Sequence, residues 1–146
     1  MTDTPDRPLS RDNLGFLLAK ASQRWNELLQ ERFVAAGYPD VRPAYGSLLI
    51  PLYEEDGLRQ GEVARRARLS KQTLTTMARA LEDAGLVERR PDPADARATR
   101  LYLTRRARDF RPVAERVLVE LDDVAAQSLD LELPALKTAL ARVSEL

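Results

Sequence analysis

The chain has no cysteine and no histidine. The first absence removes disulfides, thiolate metal ligands and Cys nucleophiles, and the second removes imidazole ligands and the commonest general base. No metal and no other cofactor is therefore expected, and most enzyme templates fall away. An enzyme built on Ser, Lys, Tyr or carboxylates would need a convergent polar cluster, and none stands out. Long apolar runs are missing as well. Nothing approaches the roughly 18 uninterrupted apolar residues of a membrane span, and the opening MTDTPDRPLSRD lacks the apolar core of a signal peptide. The expectation is a soluble, cytoplasmic protein with no membrane partner. Net charge is also absent, 23 Lys and Arg balancing 23 Asp and Glu. A polyanionic partner therefore cannot be argued from the isoelectric point of the whole chain.

What is present is unevenly placed. A length of 146 residues with a 44% hydrophobic share supports one core, and hence a single domain over 1–146. From Arg59 to Arg106 there are twelve basic and six acidic residues, a surplus of six positive charges that the acidic flanks cancel. Such a middle attracts a polyanion. A solvated charged surface would look the same in a chain that is 32% charged.

Leu14, Leu17, Leu18, Ala21, Trp25, Leu28, Leu29 and Phe33 recur at helical spacing, with Asp12 or Asn13 as N-cap and Gly37 as terminator. Pro43 suits the first turn of a second helix whose Leu48, Leu49, Leu52 and Tyr53 face inward. A short segment over 60–68, with Val63, Ala64 and Ala67 on one face, precedes an amphipathic run to Ala84 that Ser70 caps and Gly85 ends. Residues 86–90 and 99–104 read as strands, joined by a loop too long for a tight turn. Thr104 then caps a long helix striped by Phe110, Val113, Ala114, Val117, Leu118, Leu121, Val124 and Ala125, its first turns bent at Pro112. Asp130 and Pro134 start a last helix with Leu136, Leu140 and Val143 on one side.

Between Ser70 and Gly85, Leu74, Met77, Ala78 and Leu81 fall at i, i+3, i+4 and i+7, which turns Gln72, Thr75, Thr76 and Arg79 to the opposite face. Gln pairs bidentately with adenine, Arg with guanine, and a Thr methyl meets a thymine methyl, while Ser70 and Lys71 at the N-terminal end suit phosphates. A polar surface helix has the same periodicity, so the order of parts carries the argument. Short helix, turn, capped amphipathic helix, strand, basic proline-bounded loop and strand make a winged helix-turn-helix. Its second helix enters the major groove. The hairpin follows the backbone or the adjacent minor groove, with Arg97 at the tip and Arg89, Arg90 and Arg100 on its strands. Asp95 is expected to orient the loop through a bond to a nearby arginine, since a carboxylate facing phosphates is repelled.

Residues 60–104 resemble the MarR family of bacterial transcription regulators. The resemblance is carried by Leu81 to Arg89 (LEDAGLVER), by Asp92, Pro93, Asp95 and Arg97 in the wing, and by Leu101, Leu103 and Thr104 after it. It implies a mainly α fold with a small two-stranded β-wing: a DNA-binding lobe over about 38–106, flanked by long dimerisation helices over about 10–37 and 105–146. It also implies an obligate homodimer on a pseudo-palindromic duplex operator, usually a repressor, often released by a small aromatic or phenolic effector. Two reading helices would then lie about 34–36 Å apart, one turn of B-DNA. The first, fifth and sixth helices carry more apolar surface than one small unit covers, which agrees with pairing. By the same resemblance an effector cleft would lie near Trp25, Tyr45, Leu48, Leu49 and Tyr53, residues that plain core packing explains equally. Arg59, Arg68 and Ala107 depart from the family's usual helix cap, small turn residue and glycine, and the arginines are expected to add phosphate contacts. Lacking Cys and His, the chain is unlike the peroxide-sensing and zinc-sensing branches. The rival reading, a winged helix used for protein contact or as a co-regulator without its own operator, predicts an apolar reading face.

Overall fold

A computed structural model of the chain describes residues 9–129 and 132–146. The helix start expected at Asp130 lies outside the described residues. The elements run α1 (Leu14–Ala35), a 3-10 turn (Pro43–Tyr45), α2 (Gly46–Glu54), α3 (Gln60–Ala67), α4 (Lys71–Asp83), β1 (Val87–Asp92), β2 (Asp95–Leu103), α5 (Arg105–Leu129) and α6 (Leu133–Val143). This is the mainly helical architecture with one antiparallel hairpin that the sequence implies. No helix among the described residues is long and apolar enough to cross a membrane.

The starts of α1, α4 and α5 follow from short polar side chains that satisfy otherwise orphaned backbone donors. Asn13 rather than Asp12 caps α1, accepting from the Phe16 N–H at 2.9 Å. Ser70 caps α4 through the Thr73 N–H at 3.1 Å, and the Thr104 hydroxyl accepts from the Ala107 N–H at 3.2 Å at the head of α5.

Three helix ends share one geometry. At α1, α3 and α4 a residue with left-handed backbone follows the last turn, and crossed hydrogen bonds run from the residue after it and from that residue itself to the carbonyls of the last turn. Gly37 (φ 93°) and Gly85 (φ 72°) fill this place after α1 and α4, with Tyr38 donating to the Phe33 carbonyl and Leu86 to the Leu81 carbonyl. After α3 the place belongs to Arg68 (φ 54°), the one non-glycine residue with positive φ among those described.

The core joins α1, α2, α3, α4, the hairpin and α5. Leu48, Val63, Leu74, Ala78, Leu81, Leu86, Leu101 and Ala107 are fully buried. Phe110 of α5 meets Phe33 edge-on at 5.0 Å and Tyr38 at 4.9 Å, tying the two long helices to each other. Tyr53 crosses from α2 to α5, its hydroxyl donating to the Ala107 carbonyl at 2.6 Å, and burial pushes its pKa up to about 12.

Away from this core the outer parts of α1, α5 and α6 keep Leu14, Leu17, Leu118, Val119, Val124, Leu129 and Leu140 in solvent. An apolar cavity of about 420 Å³ opens between them, lined by Leu18, Trp25, Ala125, Leu129, Leu136 and Leu140 among others. The stripe read along α5 is therefore divided: Phe110, Val117 and Leu121 are buried in the core, while Leu118 and Val124 are exposed.

Candidate nucleic-acid interface

Helix α4 is held from one side and bare on the other. Leu74, Ala78 and Leu81 are fully buried and Met77 half-buried, whereas Lys71, Gln72, Thr76 and Arg79 are exposed. Thr75 differs from its neighbours. It is half-buried, and its hydroxyl donates to the Lys71 carbonyl at 2.8 Å while accepting from Gln60 Nε2 of α3 at 2.8 Å.

Charge is distributed to leave this face positive. On α3, Arg65 and Arg66 are taken by Glu62 at 2.5 and 3.0 Å, and Arg66 reaches Glu55 at 2.8 Å. Hydrogen bonds from those two guanidinium groups hold the Glu62 carboxyl down at a pKa of about 2. Lys71 and Arg79 have no acidic partner among the described residues. An unpaired cation on an exposed helix face keeps its full attraction for a polyanion.

The hairpin departs from the expected long loop. Its strands pair from Val87 with Leu103 to Pro91 with Thr99, the register then slips, and Asp92 faces Asp95 across a turn of only Pro93 and Ala94. The cause is Asp92. One carboxylate oxygen accepts from the Ala94 N–H at 2.8 Å and so closes the turn; the other accepts from Arg59 Nε at 2.6 Å and Arg100 Nε at 3.0 Å. Its side chain is 1% exposed, and the Ala94 N–H and the two guanidinium groups hold its carboxyl below the usual range. Proline at the second position of the turn supplies the backbone angle required there.

Three segments meet at this carboxylate, because Arg59 precedes α3 and Arg100 also donates to the Gly57 carbonyl at 2.8 Å. Arg100 is thus turned inward beneath the wing. Arg59 is committed to Asp92, and Arg68 donates to the Ser144 carbonyl beyond α6 at 2.7 Å. Sequence reading missed Asp92 and Arg59 as the anchor of the wing. The available signal was a carboxylate that cannot face phosphates within a basic stretch.

Asp95 accepts from the Arg97 N–H at 3.0 Å and lies 3.4 Å from Arg97 Nε. Arg97 itself is 94% exposed at the tip. Arg90 lies over the Tyr102 ring at 4.7 Å and pairs with Glu88 at 2.5 Å. Arg89 is half-buried, its Nε without a partner among the described residues. The wing therefore offers Arg97 outright and Arg90 along its side.

The five residues singled out for an effector are not gathered round one cavity. Leu48 and Leu49 are core, Tyr53 bridges to α5, and Trp25 lines the apolar cavity between α1, α5 and α6. Tyr45 instead borders a shallow cleft of about 440 Å³ against α4, beside Gln72, Thr76 and Met77.

Residues 43–99 match the family model described as MarR family. No curated protein matches the sequence. Among solved structures the chain is similar to that of MarR, at 24% identity with 95% of this chain and 94% of that one covered and a TM-score of 0.76. It is similar to the transcriptional repressor CouR bound to a 23-mer DNA duplex, at 26% identity, 94% and 99% coverage and a TM-score of 0.77. It is also similar to the PcaV transcriptional regulator from Streptomyces coelicolor in complex with its natural ligand, at 21% identity, 95% and 97% coverage and a TM-score of 0.71.

Proposed function

We propose that this chain, whose residues 43–99 match the MarR family model, is a DNA-binding transcription regulator of that family acting as a homodimeric repressor on a pseudo-palindromic operator. The observation that carries this reading is α4: an apolar side locked into the core, and an exposed side bearing Gln72, Thr76, Arg79 and Lys71, both cations without an acidic partner among the described residues. The likeness to CouR held on duplex DNA supports it. An apolar reading face, which a protein-docking winged helix would need, is absent from α4.

In this reading Ser70 and Lys71 meet phosphates at the head of α4, Gln72, Thr76 and Arg79 meet base edges, and Arg97 reaches the backbone or minor groove. Arg90 and Arg89 flank the wing, while Asp95 and Arg100 hold it in place. The lobe over about 38–106 binds, and the helices over about 10–37 and 105–146 pair two chains. An effector of aromatic or phenolic class would act by preferring a dimer whose two α4 helices are wrongly spaced for the groove.

The test is a mobility-shift titration of the chain against the DNA upstream of its own gene. A saturable complex that outlasts excess random duplex, and that weakens steeply with salt, is expected. Binding no tighter than to random DNA overturns the proposal.

A further inference from the structure

The two adjacent threonines of α4 are interchangeable in the sequence and not in the fold. The Thr76 side chain is exposed, and its hydroxyl has no partner among the described residues, so it is able to donate and accept. Thr75 has a single hydroxyl proton, and the Lys71 carbonyl takes it at 2.8 Å. Gln60, the first residue of α3, donates its amide into the same oxygen at 2.8 Å. Turning that amide over would only change which protein oxygen receives the proton. Thr75 is nevertheless partly exposed, one turn from Gln72 and Arg79 on the bare side of the helix. What it has left to present is its γ-methyl.

From this we infer that Thr75 is a thymine-methyl reader, held in its rotamer by Gln60 acting as a positioning residue. The inference rests on the DNA-binding reading above and deepens it. In the major groove thymine differs from cytosine and uracil in carrying a C5-methyl group, and an apolar side-chain group recognises it by contact. A threonine free to rotate could offer either its hydroxyl or its methyl. The two hydrogen bonds from within the protein remove that choice, because rotating about χ1 would break both.

The experiment uses the full chain and an operator that it selects from random duplexes, with each thymine replaced in turn by deoxyuridine, which deletes only the methyl. Wild type should lose about fourfold in affinity at one thymine in each half-site, the worth of one methyl group removed from water. Thr75→Ser, which keeps the hydroxyl and deletes the methyl, should bind the thymine and uracil operators equally. Thr75→Val should keep the preference for thymine. Gln60→Met should reduce that preference while leaving the thermal midpoint within a few degrees of wild type. A Thr75→Ser variant that still prefers thymine, a Thr75→Val variant that does not, or a wild type indifferent to every replacement overturns the inference. Failure to select any operator would instead strike the DNA-binding reading itself.

Discussion

At the scale of single residues, the division between Lys71 and Arg79 is the sharpest consequence of the α4 geometry. Arg79 sits two turns into the helix and Lys71 at its first residue, so one should meet a base edge and the other a phosphate. Arg79→Ala is expected to cost about 1–3 kcal/mol on the operator and to relax base preference at one position. Lys71→Ala should weaken all sequences alike and lower the slope of log affinity against log salt by about one. Titrations on operator and random duplex at several salt concentrations separate the two, and equal effects from both changes would refute the assignment. Asp92 makes a different prediction. Its folded pKa is depressed, so its stabilising contribution is complete above the unfolded carboxylate value of about 4 and is lost as pH falls through the folded value. The thermal midpoint should drop as pH falls below about 4, and Asp92→Asn should flatten that part of the curve. Parallel curves for the two proteins would show that the carboxylate does not carry it. Little of this was legible beforehand. Arg79, Gln72 and Thr76 could be placed from periodicity alone, but Asp92 acquires its role from Arg59 and Arg100, which only the folded chain brings together.

At the scale of elements, the starts of α1, α4 and α5 and two helix ends were readable because a cap needs a short polar side chain and a left-handed turn favours glycine. The end of α3 was not, since Arg68 gives no such signal. A left-handed L-residue costs about 1–2 kcal/mol, and glycine forfeits part of that in unfolded-chain entropy. Arg68→Gly is therefore expected to stabilise the chain by about 0.5–1 kcal/mol despite losing the exposed bond to the Ser144 carbonyl. A urea midpoint that rises with an unchanged slope checks this, and a fall would mean that the carbonyl contact outweighs the strain. Helix α4 depends in turn on Leu81, which is fully buried and whose carbonyl receives the Leu86 N–H where the helix ends. Leu81→Ala should cost about 2–5 kcal/mol through lost burial and the cavity left behind. Denaturant titration measures it, and a loss under 1 kcal/mol would mean that the helix is anchored elsewhere. The hairpin was the least readable element. The segment over 91–98 reads as a loop because its pairing slips by three residues near the tip, and a strand with such an offset no longer shows alternation.

At the scale of the whole molecule, the composition already pointed to one domain with an uneven charge distribution, and the order of parts to a winged helix. What one sequence could not convey is how the apolar surface is shared. The inner halves of α1 and α5 close the chain's own core around Phe33 and Phe110, while their outer halves and α6 leave Leu129 and Leu140 lining an open apolar cavity. On the proposed dimer a second chain covers this region. Sedimentation should then give twice the 16.4 kDa of one chain, and Leu140→Glu should shift the mass toward one chain and abolish operator binding together. A wild type that runs as a single chain, or a variant that separates without losing the operator, would break the link between pairing and reading. If those helices find their remaining partners only in a second copy, abundance becomes part of the fold. The melting temperature should climb with protein concentration, and a cell that lets the regulator grow scarce would lose the folded chain and the occupied operator in one step.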